Sequence, residues 1–268
     1  MIRDITIGQY YPANSKLHRL DPRVKITGTF LFLLSLLILI QNIWGYLVAT
    51  VFLVAIIWCS KVPFKFIVKG LRPVVMLLMI TVLFNLFLTR TGNVIWEAWI
   101  FKITDQGLRA SGFMTIRLIY LVLGSSIMTF TTTPNDLTDG IEKLLWPLRK
   151  IKVPVHEIAM MMSIALRFIP ILLEETDKIM KAQITRGADL ENGNLLRRAK
   201  AMIPILVPLF VSAFRRANDL AMAMEARCYR GGDGRTKMKP LVYKRKDYIA
   251  YAVIGIYLIA AVIVGRFI

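Results

Sequence analysis

The sequence predicts an all-α polytopic membrane protein, with about five transmembrane helices and a cytoplasmic domain of long helices. Three observations carry that reading. The chain is 56% hydrophobic with a mean hydropathy of +0.57, whereas a soluble domain holds roughly 45–50% apolar residues. The apolar residues cluster in runs almost free of charge at 26–40, 44–59, 73–88, 118–130 and 248–264, as lipid requires, since it offers polar groups no partner. The net charge of +18 lies between and beside those runs. That is the positive-inside pattern of a membrane protein, and it argues against a nucleic-acid partner.

Residues 1–25 carry Arg3, Lys16, Arg19, Arg23 and Lys25, which predicts a cytoplasmic N-terminus. No small-residue cleavage pattern follows the first apolar run, so that run stays as a span. Apolar character persists over 26–59. A single helix of that length would be roughly 50 Å long, and the hydrocarbon core is only about 30 Å thick. Two spans with a turn at Gln41-Asn42 fit better, with Trp44 near the outer interface. Lys61, Lys65, Lys69 and Arg72, with no acid among them, mark 61–72 as a second cytoplasmic loop. Pro73 opens a third span that reaches about Leu88. The near-neutral stretch 89–109, with Trp96 and Trp99, suits the outer interface. A fourth span covers about 110–130, with Arg117 inside it, facing protein or snorkelling to an interface.

Over 131–246 the texture changes, and more than half of the basic residues lie here among acids at helical spacing. Thr133 as N-cap, Pro134 in the first turn and Asp136 behind it predict a helix to about Trp146. A second helix starts near Pro154, reads apolar through Leu173 and then turns amphipathic. Glu174–Lys178 and Asp177–Lys181 stand at i,i+4 in the favourable order. Gly187 and the 189–193 stretch end it. A third helix covers about 195–229, kinked by Pro204 and Pro208 and closed by the glycines of 231–234. Lys237, Lys239, Lys244, Arg245 and Lys246 then anchor the inner end of a last span, 247–266. The run 155–173 is apolar enough to span, but His156, Glu157 and Arg167 interrupt it, and 201–214 is short. Both are placed in a helical domain at the cytoplasmic membrane face. The domains are therefore 1–130 with four spans, 131–246 in the cytoplasm, and 247–268 as a final span. The C-terminus lies outside.

Catalytic signatures are absent. No G-x-x-x-x-G-K-[ST] occurs, and His156-Glu157 is followed by Met160 where a zinc helix needs its second histidine. Two histidines and the scattered cysteines Cys59 and Cys228 predict no metal and no cofactor. The informative feature is a weak repeat. Ala182-Gln-Ile-Thr185-Arg186-Gly187 and Ala223-Met-Glu-Ala226-Arg227-Cys228 both read A-x-x-x-R-small, 41 residues apart. Small residues let another surface approach the backbone. An arginine at a helix C-terminus is favoured by the macrodipole and presents a rigid donor fork. The two ends read either as similar docking points or as ordinary terminal charges.

Other segments join these in one resemblance: Asp21-Pro22-Arg23-Val24-Lys25, Thr132-Thr133-Pro134 with Asp136-Leu137, and Leu166-Arg167-Phe168-Ile169-Pro170 followed by Glu174. Over nearly its whole length the chain resembles the transmembrane T component of energy-coupling factor (ECF) transporters, a class of vitamin and metal importers. The family's Ala-Arg-Gly reads Thr185-Arg186-Gly187 here, and its second motif has Cys228 where glycine or serine is common. The resemblance implies that the long cytoplasmic helices are coupling helices, crossing one another and docking on two ABC-type ATPase subunits. It implies that the spans hold a separate substrate-binding S component. Arg186 and Arg227 are carried over as ATPase-contacting residues, with Ala182, Thr185, Gly187, Ala223, Ala226 and Cys228 beside them. The chain would then be a non-catalytic coupling subunit in the cell membrane. The alternative is a stand-alone permease or ion-coupled carrier built on Arg117, Asn85 and Arg167, and a third is a lipid-modifying enzyme built on His156 and Glu157.

Overall fold

Apolar runs of span length, separated by prolines, glycines and caps, become helices in sequence order. The computed structural model describes residues 10–40, 42–88, 94–98, 101–188, 194–232, 238 and 240–267. Roles expected of residues 1–9, Gln41, Trp99, 189–193, 233–237 and Lys239 lie outside the described residues. The described helices are α1 (Pro22–Ile38), α2 (Ile43–Ser60), α3 (Phe64–Leu71), α4 (Val75–Leu88), α5 (Asp105–Thr131), α6 (Pro134–Leu145), α7 (Val155–Thr185), α8 (Leu195–Ala226) and α9 (Arg245–Phe267). The all-α class holds, with one addition. β1 (Val94–Ala98) and β2 (Phe101–Thr104) pair antiparallel within the stretch before α5.

Two expectations are corrected locally. The stretch 61–72 is not a loop. Its lysines are interleaved with apolar residues at helical spacing, so Phe64–Leu71 forms an amphipathic helix with Ile67 fully buried. The fourth span starts earlier than about 110, because Thr104 caps it by accepting a hydrogen bond from the Gly107 N–H at 3.1 Å. The Thr133 cap stands as expected. Its hydroxyl accepts from the Asp136 N–H at 3.2 Å and donates to the Asp136 carboxylate at 2.7 Å.

Among the described residues five helices are long and apolar enough to cross a membrane: Ile43–Ser60, Phe64–Leu86, Asp105–Thr131, Val155–Thr185 and Arg245–Gly265. The number is the expected one, but the set is not. The 17 residues of α1 fall just short in length, and α7 enters by length and composition. At 17 residues α1 still meets the lower bound of about 17 for a membrane helix.

The chain divides into two compact units, Glu142–Pro240 and Gly8–Ile141 with Leu241–Ile268, the boundary falling inside α6. The core of the second unit joins α1, α2 and α9 through Phe32, Leu36, Ile40, Tyr46, Ala49, Leu53 and Tyr257. Phe52 stacks on Tyr257 with ring centroids 4.1 Å apart. Hydroxyls are paired across helices, the buried Ser35 with Tyr257 at 2.7 Å and the half-buried Thr50 with Tyr120 at 2.6 Å. Gly124 lets α1 approach α5, since a Cβ there would lie 2.8 Å from the Phe32 ring. Arg117 faces protein and does not snorkel to an interface. It donates to the Ile40 carbonyl at 2.9 Å and to the Tyr46 hydroxyl at 3.2 Å, so it satisfies a carbonyl orphaned beyond the end of α1. The buried Asp21 pairs with the half-buried Arg23 at 2.9 Å, and the Lys25 ammonium donates to the carbonyls of Thr131 at 2.7 Å and His18 at 3.2 Å.

Candidate docking site at two helix ends

The other unit is built on α7 and α8. The two helices cross in contact, and around the crossing Ile205 of α8 is buried. Glu175 of α7 accepts hydrogen bonds from Ser212 and, at 2.9 Å, from the Arg216 guanidinium of α8. Farther along, the Gln183 amide donates to the Pro204 carbonyl at 3.4 Å. Numbers rise along one helix as they fall along the other, so the pair is antiparallel. From the Glu175–Ser212 contact, α7 runs about 15 Å and α8 about 20 Å to their C-terminal ends. The two ends leave that contact in opposite directions. The expected pairs Glu174–Lys178 and Asp177–Lys181 form no ion pair among the described residues. Glu175 reaches across to α8 instead.

Both ends close with the same backbone motif. In α7 the cap is Arg186. Gly187 follows in the left-handed region at φ 85, with its N–H on the Ile184 carbonyl at 3.0 Å and the Ala188 N–H on the Gln183 carbonyl at 3.0 Å. In α8 the cap is Arg227. Cys228 follows at φ 56, with its N–H on the Glu225 carbonyl at 2.8 Å and the Tyr229 N–H on the Met224 carbonyl at 3.0 Å. Each is a complete Schellman motif. The small residue after each arginine is thus first a left-handed turn. The close-approach reading is not needed to explain it, and a Cβ on Gly187 would meet nothing within 4 Å.

All eight expected docking residues are exposed: Ala182, Thr185, Arg186, Gly187, Ala223, Ala226, Arg227 and Cys228. Ala182 and Ala223 sit one turn before their arginines, so on each helix the guanidinium root adjoins a surface with no bulky side chain. An exposed arginine beside partly unpaired carbonyls can bind a carboxylate or a helix-end carbonyl on another protein.

Three of the residues behind the competing readings, Arg117, Asn85 and His156, are otherwise engaged. Arg117 serves α1, and the Asn85 amide donates to the Thr81 carbonyl at 2.9 Å within α4. His156 pairs with the buried Glu142, Nδ1 to Oε1 at 3.0 Å, and its neighbour Glu157 takes no part. Its ring lies under Gly232, where a Cβ would come within 2.3 Å of it, so the chain leaving the α8 end returns to the start of α7. Glu142, Glu175, Ser212 and Arg216 were missed in the sequence because their partners are 14, 37 and 41 residues away.

Residues 13–238 match the family model described as cobalt transport protein, CbiQ. A Clostridium kluyveri protein named energy-coupling factor transporter transmembrane protein EcfT is 56% identical over 251 residues, covering 93% of each chain. The same name is carried by a Thermosediminibacter oceani protein, 52% identical over 267 residues and 100% of each chain. A Bacillus subtilis protein of that name is 48% identical over 247 residues, 92% of this chain and 93% of its own. The chain belongs to the CbiQ/EcfT family. As an EcfT-type chain it is a multi-pass membrane protein and the scaffold through which an ECF transporter couples energy to uptake.

Proposed function

We propose that the EcfT-type chain is itself non-catalytic and transmits motion from two ABC-type ATPase subunits to a membrane-embedded S component that binds the vitamin or other micronutrient. The ends of α7 and α8 dock one on each ATPase through Arg186 and Arg227, and Glu142–Pro240 acts as the coupling unit at the cytoplasmic face. The observation that supports this best is the duplicated end. Two helices held antiparallel finish in the same Schellman motif, each with an exposed arginine at the cap. Two equivalent attachment points facing apart suit two similar motors better than one substrate. The exposed Arg167 of α7 would be costly against lipid, which favours keeping this helix among proteins.

Isolation of the intact chain from its native membrane, with subunit masses and stoichiometry measured, tests the proposal. Two nucleotide-binding subunits and one small membrane protein per chain are expected. Substrate uptake by vesicles holding the purified chain alone, without ATP, would contradict it and favour the self-sufficient permease.

A further inference from the structure

Two cavities meet at one end of the membrane unit. The first, about 530 Å³, lies among α1, α2, α5 and α9, with walls that are almost wholly apolar, including Val24, Phe32, Leu53, Ile127, Val253 and Ile254. Its volume falls within the ~300–1,000 Å³ of sites that enclose small ligands. The second, about 610 Å³, is lined by Asn14, Ser15, Lys16, Arg19, Lys61 and Lys246, with Trp58 at its rim. Lys16, Cys59 and Lys246 line both, so the apolar crevice opens into the basic pocket.

The fold puts this junction at a polar–apolar boundary. The first turns of α1 and α9 and the last turn of α2 meet here. Trp58 is 84% exposed, an amphipathic ring of the kind that sits at a membrane interface. Among the described residues none of the four cations is paired with a carboxylate. The neighbouring acids are turned inward: Asp21 holds Arg23 at 2.9 Å, and Asp247 accepts the backbone N–H of Asp21 at 2.9 Å and of Lys244 at 2.7 Å. Four cations around one pocket repel each other, and an anion between them relieves that. A soluble anion would leave the crevice unfilled, and an apolar molecule would leave the charges unanswered. We propose that this junction binds one anionic phospholipid, with the headgroup phosphate among Lys16, Arg19, Lys61 and Lys246 and an acyl chain in the crevice behind them.

The test is native mass spectrometry of the purified full chain, offered equal amounts of dioleoyl phosphatidylglycerol and dioleoyl phosphatidylcholine. One phosphatidylglycerol should be retained in preference. The variant Lys16→Gln/Lys61→Gln/Lys246→Gln should lose at least about tenfold in that retention, since each interfacial cation is worth about 1 kcal/mol. The corresponding triple Lys→Arg variant should keep it. Ala250→Trp, which fills the crevice and leaves the cations in place, should weaken retention as well. In a Cys228→Ser background, phosphatidylglycerol should slow alkylation of Cys59, and inorganic phosphate should not. Equal retention of both lipids, or retention indifferent to the lysines, would overturn the proposal. Protection of Cys59 by inorganic phosphate alone would overturn it in favour of a headgroup-only site. Protection of Cys59 in the delipidated complete transporter would show that a protein surface, not lipid, covers the crevice.

Discussion

Arg186 and Arg227 hold the same place in the same backbone motif. Each caps its helix, and each precedes a left-handed residue, Gly187 at φ 85 and Cys228 at φ 56. The two ends are equivalent in backbone although their sequences differ. That predicts opposite responses to substitution. Gly187→Ala should cost about 1 kcal/mol, and Cys228→Gly should gain about as much, because only glycine takes a left-handed conformation without penalty. Denaturant titrations of the detergent-solubilised chain would show both, one midpoint falling and one rising.

Glu175 ties α7 to α8 through Ser212 and Arg216. Arg216 is 41% exposed, so a double-mutant cycle between Glu175→Gln and Arg216→Gln should give a coupling of only about 0.5–1 kcal/mol. The larger effect should be functional. In the assembled transporter Glu175→Gln should lower substrate uptake per ATP hydrolysed and leave the ATPases bound, because it loosens the crossing and not the ends.

Arg117 is expected to be structural. Arg117→Met leaves the Ile40 carbonyl without its donor and should cost about 1–3 kcal/mol of stability, with Arg117→Lys recovering part of it. If Arg117→Met left stability unchanged and abolished uptake, the residue would belong to a transport pathway instead.

His18 sets a pH dependence at the entry to α1. Its Nε2 meets the Tyr11 carbonyl at 3.0 Å and its Nδ1 meets the Ser15 hydroxyl at 2.7 Å. Burial, with a smaller contribution from the Lys25 ammonium, holds the imidazole below its ordinary range, and the Tyr11 carbonyl opposes them. The unfolded chain therefore takes up the proton first as pH falls. The stability that goes with a neutral His18 is fully present above about 6.5 and is lost as pH drops through and below that value. Melting temperatures from pH 7.5 to 5 should show this slope, and His18→Gln should flatten it.

Helix positions were legible because length, charge-free runs and caps are local signals. Thr133 and Gly187 could be read as start and stop. The helix Phe64–Leu71 is masked in the sequence because its lysines look like loop charge, while the helical spacing of Phe64, Ile67, Val68 and Leu71 is a short and weak signal. At the helix ends the two arginines were visible. The reason for the small residue after them was not, since a left-handed φ leaves no mark when cysteine occupies it. Long-range pairs such as Glu142–His156 and Glu175–Arg216 have no local signature at all.

The central claim is that the exposed ends of α7 and α8 are the attachment points for two ATPases. Reversing charge at both, with Arg186→Glu and Arg227→Glu, and weighing the complex recovered from membranes tests it most directly. Each single variant should retain one nucleotide-binding subunit fewer or lose coupled hydrolysis, and the double variant should emerge without either subunit. A double variant that still carries two ATPases and still couples ATP hydrolysis to uptake would contradict the account.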